Sequence, residues 1–214
     1  MTRGSWLVAI GLVVAVLVGS AVVYPRLPDR VPTHWNLQGQ VDAYGPKAVA
    51  TFLLPGVMVG LLALFAALPW LSPAPFKMEG FRPTYGVIVV IVLAMQSFIH
   101  TVTLLVAMGY KIDVTRFLVA GGLLGIGLMG NVLGKVRRNV FVGVRVPWTL
   151  ASERVWNETH RLAAWLSFGF GLLGSAVALM GHPIVALTFL ALVVVIPILF
   201  SLVRYKQLER RGEI

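Results

Sequence analysis

Residues 130–162 read GNVLGKVRRNVFVGVRVPWTLASERVWNETHRL, and they set six basic residues between two long apolar segments. The six are Lys135, Arg137, Arg138, Arg145, Arg154 and Arg161. A basic stretch between apolar runs is the pattern of a cytoplasmic loop between membrane spans. Composition agrees: the 214 residues are 58% hydrophobic and only 12% charged, against about 25% charged in an ordinary soluble domain. The formal net charge of +10 would point to nucleic acid in a soluble protein. Here orientation and anionic lipid account for it, and no direct nucleic-acid contact is expected. With no cysteine in the chain, disulfides and thiolate metal sites are excluded.

Outward from this loop, charged residues punctuate the chain and leave uncharged runs between Arg3 and Arg26, Lys47 and Lys77, Arg82 and Lys111, and Arg116 and Lys135. The run from Leu162 to Leu202 is too long for one helix, and Gly181-His182-Pro183 divides it. Each resulting segment supplies roughly the 20 residues, at about 1.5 Å rise each, that a span needs. The first run exceeds a signal-peptide core, so a retained helix is expected. With six spans, thirteen of the 18 Lys and Arg fall on the side of the termini and the 135–161 loop, and five on the other. Both termini are therefore expected inside. Trp6, Trp70, Tyr85, Trp165 and Tyr205 fit an inner aromatic belt, and Tyr24 and Tyr110 an outer one.

The expected fold is an all-α, polytopic membrane bundle of six transmembrane helices, N-in and C-in, with an amphipathic interfacial helix in the fourth loop. Two modules are expected. Residues 1–76 hold the first two helices and the outward Pro-rich loop 24–47, and residues 77–214 hold four helices and the basic cytoplasmic loop 135–161.

In the outward loop, Pro25, Pro28 and Pro32 favour extended, polyproline-like backbone, and Asn36 to Asp42 brings turn chemistry around Gly39. His34 and Asp42 are its proton-active pair, with Asp29 as a possible third metal ligand, although the spacing matches no metal motif. They are read either as part of a stiff polar cap or as a surface that recognises a peptide or small ligand. Within the bilayer, Gln96 and His100 share one face of the third helix at i, i+4, and Asn131 sits near the inner end of the fourth. Such groups are either interhelical glue or the lining of an outward cleft in which His100 faces His34 or Asp42. Gly121, Gly122, Gly125, Gly127 and Gly130, with Gly169, Gly171 and Gly174, predict close approach of the fourth and fifth helices.

In the inner loop, Asn139 to Val146 reads as a short extended turn holding Gly143. Pro147-Trp148-Thr149 opens a helix with Thr149 as its N-cap. Val155, Thr159, Leu162 and Leu166 then line one stripe, and Trp156 and His160 lie one turn apart on the adjacent face. Arg154, Glu158 and Arg161 form the polar side, with Glu158 and Arg161 at i, i+3. This surface is read as a docking face for a cytoplasmic partner or as an interfacial anchor. It lacks the nucleophile, phosphate loop or second histidine that catalysis or a metal would need. No catalytic residue, metal or cofactor is expected.

Residues 130–162 resemble the signature of the sporulation-delaying-protein immunity family of bacterial membrane proteins. The segment LPDRVPTHWNLQGQVDAYGPK, residues 27–47, resembles a module of unknown function often found ahead of it. The resemblance implies a six-helix protein that protects its cell from a secreted killing peptide. In the best-known case such a protein also holds a transcriptional repressor at the membrane when toxin is present. The matching inner positions are Asn131, Lys135, Arg138, Asn139, Gly143, Arg145, Pro147, Trp148, Thr149, Trp156, Thr159, His160 and Arg161. The outer ones are Pro28, Pro32, His34, Asn36, Gly39, Asp42 and Lys47. Val41 and Val146 depart from the pattern, where proline and threonine are expected, which bears on toxin specificity.

The implied partners are a secreted peptide toxin at the outer face and a cytoplasmic repressor at the inner face; the basic charge separately points to anionic lipids. The outer ligand residues are taken as His34, Asn36, Asp42, Gln96 and His100. Two other functions compete: a small transporter using Gln96, His100 and Asn131, and an intramembrane enzyme using His34, Asp42 or His160. Against them, the chain shows no paired broken helices and no recognised catalytic constellation.

Overall fold

The computed structural model describes residues 1–36 and 38–214. Its long helices are α1 (Arg3–Val23), α2 (Lys47–Leu71), α3 (Arg82–Ala107), α4 (Val114–Leu133), α6 (Glu153–Leu179) and α7 (Pro183–Arg210). Among the described residues these six are long and apolar enough to cross a membrane, and the chain is a multi-pass cell-membrane protein. A five-residue helix, α5 (Pro147–Ala151), precedes α6. Side-chain caps start three of the six long helices. Thr2 accepts from the Ser5 amide, Asp113 from that of Arg116 and Ser152 from that of Val155, each satisfying an amide that the helix itself leaves free.

α4 packs most extensively on α6, and α6 on α7, while α3 bridges to α1 on one side and α4 on the other. The glycines explain the first contact. An ideal Cβ at Gly171 would lie 2.5 Å from the Gly127 amide nitrogen, and one at Gly130 would lie 2.6 Å from the Phe168 nitrogen. Only residues without side chains let these backbones come so close. In lipid, where no hydrophobic force drives helices together, such packing supplies much of the cohesion.

Three sequence expectations need correction. The outward loop is not polyproline-like. It forms an antiparallel hairpin, β1 (Arg30–Trp35) with β2 (Val41–Pro46), so the fold is helical with one small sheet. Pro32 sits within β1 because a two-stranded ribbon has an outer edge whose N–H positions need no partner. Register irregularities between Pro32 and Trp35 accompany it. Second, the amphipathic stretch is not a separate interfacial helix. It is the first turns of α6, and its apolar face is covered by protein, with Val155, Trp156, Thr159 and His160 all fully buried. Third, Tyr85 is not a belt residue: it is 1% exposed and its hydroxyl donates to the Phe65 carbonyl at 2.8 Å.

Contacts sort the loops into two sets. Arg137 lies against Gly80, the Arg138 guanidinium stands 5.6 Å over the Phe76 ring, and Arg154 pairs with Glu213. The second loop, the fourth loop and the C-terminus thus share one end. At the other, the Thr115 hydroxyl donates to the Asn36 carbonyl at 3.4 Å, and Arg116 approaches Gly181. Six crossings give this alternation, and the excess of Lys and Arg predicts that the first end is the cytoplasmic one.

That assignment has a clean test because the chain has no cysteine. His34→Cys in the hairpin should react with a membrane-impermeant thiol reagent on intact cells, and Arg145→Cys only after permeabilisation. The opposite pattern would invert the protein.

Candidate functional site

The connector 134–152, which carries the signature, is built around four internal staples. Asn139 is fully buried and uses its whole hydrogen-bonding capacity. Its Nδ2 donates to the Arg137 and Val142 carbonyls at 2.8 and 3.0 Å, and its Oδ1 accepts from the Phe141 and Val142 amides at 2.8 and 2.7 Å. His160 reaches out from α6 to hold the middle of the loop. The Val144 amide donates to Nε2 at 3.0 Å, so Nε2 carries no proton, and Nδ1–H donates to the Trp156 carbonyl at 2.8 Å. The imidazole is therefore the neutral Nδ1–H tautomer. Trp156 stacks on it at 3.9 Å between centroids, and its indole N–H donates to the Val136 carbonyl at 2.8 Å.

Thr149 is not an N-cap as expected but lies inside α5. Its hydroxyl accepts from the Val146 amide and donates toward the Val144 carbonyl at 2.8 Å, while Ser152 caps α6. The Trp148 indole donates to Ser201 on α7 at 2.6 Å. Gly143 passes directly over the imidazole with φ +116°, where a Cβ would overlap His160 Nε2.

This geometry divides the inner motif. Asn139, Thr149, Trp156 and His160 have no exposure, so they shape the loop and offer nothing to a docking partner. Trp148 is half-buried and tied to α7, and Arg138 is engaged with the Leu150 carbonyl at 3.0 Å as well as with Phe76. Asn131, Lys135, Arg145, Pro147 and Arg161 are exposed. The guanidinium of Arg145 also donates to the Val140 carbonyl at 2.7 Å, which braces its own loop. The expected Glu158–Arg161 pair is replaced by a cross-helix clamp. Glu158 is held by Arg154 one turn earlier and by Arg204 of α7, with Arg204 Nη2 donating at 3.0 Å.

On the outer face, His34 Nδ1 and Asp42 Oδ1 are 2.5 Å apart across the hairpin, with side chains 69% and 43% exposed. Asn36 organises the turn, its Oδ1 accepting from the Gln38 and Gln40 amides at 3.0 and 2.9 Å, and Gly39 takes φ 79°. Asp29 does not join as a third ligand; it pairs with Lys47 at 3.1 Å.

The expected cleft in which His100 faces His34 or Asp42 is not formed. His100 is 2% exposed and its Nε2 lies 2.8 Å from the Ser20 hydroxyl of α1. Ser20, Ser97, His100 and Thr101 instead give a polar side to a cavity of about 230 Å³ between α1 and α3. Gln96 lies half-buried one turn away, and Asn131 is at the other end of the bundle, so the three do not share one site.

Sequence reasoning missed Ser20, Ser201 and Arg204. The first is 80 positions from its partner His100, and the others are 53 and 46 positions from Trp148 and Glu158. For Ser20 and Ser201, a serine within an apolar run was the signal.

Comparison with known proteins agrees with this layout. A domain of unknown function, DUF1648, matches residues 11–59, spanning most of α1, the hairpin and the first half of α2. The SdpI/YfhL protein family matches residues 135–201, from the connector to the serine that Trp148 contacts. Immunity protein SdpI of Bacillus subtilis (strain 168) is 25% identical over 190 residues, which cover 87% of each chain. No solved structure matches.

Proposed function

This chain belongs to an SdpI-like family with an N-terminal DUF1648 domain, and on that premise we propose that it protects its cell membrane against a secreted antimicrobial peptide. The observation that carries the reading is the alignment with an immunity protein along 87% of both chains. The reaction expected of such a protein is binding, not bond-breaking. The outer hairpin is the face that a secreted peptide meets first, and the exposed His34–Asp42 pair lies across its two strands. The cavity that has Ser20 and His100 on its polar side offers a second contact within the outer half of the bilayer.

At the inner face we assign partner contact, including capture of a transcriptional repressor, to the exposed Arg145. Arg145 presents a planar fork of donors that suits carboxylates, and its loop is held rigid by Asn139 and His160.

The test is survival of a susceptible strain, lacking its own immunity protein, exposed to the secreted sporulation-delaying toxin. Producing this chain should raise survival over empty vector. His34→Ala and Asp42→Asn should lower it at matched abundance. The pair is exposed, so its loss should cost less than about 1 kcal/mol of stability. An unchanged melting profile with lost protection would thus report ligand contact. Arg145→Gln should spare protection and reduce only a repressor-dependent reporter. Equal loss of protection by inner and outer variants would mean that the two faces do not divide the work, and no protection by the parent chain would overturn the reading for this toxin.

A further inference from the structure

The cytoplasmic ends of α4 and α6 enclose a groove of about 400 Å³ that opens to the outside of the bundle. Its apolar wall is Gly130, Ala164, Phe168 and Trp165, and its mouth carries Asn131, Lys135 and Arg161. Trp165 is 72% exposed, and Leu124, Leu128 and Leu172 on the same two helices are also exposed. Large apolar side chains uncovered along spanning helices face hydrocarbon, so the groove continues into the lipid-facing surface.

The two cations are what set this place apart. Among the described residues neither Lys135 nor Arg161 has a carboxylate partner, although Arg154 and Arg204, close by on α6 and α7, are both bound to Glu158. Arg137 and Arg138, the other members of the basic triplet, turn away to Gly80 and Phe76. Lys135 and Arg161 therefore stand free at the inner boundary of the hydrocarbon, over a slot bounded by apolar side chains, with a neutral amide beside them.

We propose that this groove is a binding site for one anionic phospholipid of the inner leaflet. Lys135 and Arg161 take the headgroup phosphate, the Asn131 amide bonds the glycerol-ester region, and an acyl chain runs past Phe168 along α4 and α6. The occupant is a lipid rather than a soluble anion because the cations cap an apolar slot that only an acyl chain fills. Trp165 matches the same depth, since indoles settle at the headgroup boundary.

Binding would be measured on the purified full-length chain in neutral detergent, by quenching of tryptophan fluorescence with brominated phosphatidylglycerol. Brominated phosphatidylcholine serves as the zwitterionic reference, and Trp165→Phe identifies the reporter. The parent should prefer phosphatidylglycerol by roughly thirtyfold, the ratio expected from two surface cations. Lys135→Gln with Arg161→Gln should abolish the preference, whereas Arg210→Gln with Arg211→Gln, an equal loss of charge outside the groove, should leave it intact. Equal weakening by both double variants would overturn the site in favour of general attraction to a basic surface. Full competition by millimolar inorganic phosphate would overturn it in favour of a free-anion site. Preference without quenching of Trp165 would place the lipid elsewhere.

Discussion

Gly143→Ala is expected to be among the most damaging small substitutions in the chain. Alanine at φ +116° is in a region that L-residues rarely adopt, at a cost of about 1–3 kcal/mol. The added methyl would also overlap His160 Nε2. The imidazole has little freedom to move aside, because Trp156 stacks on it and the Val144 amide and Trp156 carbonyl hold its two nitrogens. Displacing it leaves buried polar groups unpaired, each costing about 1–3 kcal/mol. Even at the low end of each range, the strain and two unpaired groups come to about 3 kcal/mol, a large share of the ~5–15 kcal/mol that holds a typical protein folded. The detergent-solubilised variant should lose its monodisperse peak at a markedly lower temperature than the parent. Adding His160→Ala should cost less than the sum of the two single changes, since it removes the overlap. A Gly143→Ala protein as heat-resistant as the parent would show that the connector is not pinned to α6.

The second large effect is expected at Gly171→Ala. The new methyl would stand 2.5 Å from the Gly127 nitrogen, 2.6 Å from its Cα and 2.7 Å from the Leu123 carbonyl oxygen. All three are backbone atoms and cannot rotate away, so α4 and α6 must separate. Overpacking a tight contact costs about 1–3 kcal/mol. Here it loosens the most extensive helix pair in the bundle, so the upper end of that range is expected. Gly169→Ala, two residues earlier with no neighbour within 4 Å, is the internal control. It should be neutral or stabilising, since alanine exceeds glycine in helix propensity by up to ~1 kcal/mol. Comparable losses at both positions would mean that helix flexibility, and not close approach, is what these glycines provide.

Much of this site was partly legible. The spacing of Trp156 and His160 put them on one face, and the resemblance selected both. Their burial was not legible, because the cover comes from the connector, whose path depends on Asn139 folding the chain back on itself. A basic loop reads as exposed from its charges, yet its uncharged residues form a small core beneath them. The outer hairpin was obscured for a different reason: three prolines argue against strands in general, and only an edge position makes Pro32 acceptable.

The sequence by itself determined the number of spans and set the expectation for the side on which each loop lies, because both follow from one-dimensional quantities. These are the length of an apolar run against the bilayer thickness and the count of Lys and Arg between runs. Of the glycines it marked, Gly127, Gly130 and Gly171 are where the α4 and α6 backbones meet, whereas Gly121 and Gly125 face α3 side chains and Gly122 and Gly169 have no neighbour within 4 Å. Only the tertiary structure decided which motif residues are exposed, that Ser20 answers His100 and Arg204 answers Glu158, and that Lys135 and Arg161 remain unpaired over a groove. Hydrogen bonds and ion pairs act over about 3 Å, so partners 46 or 80 positions apart along the chain become neighbours only when the helices have packed.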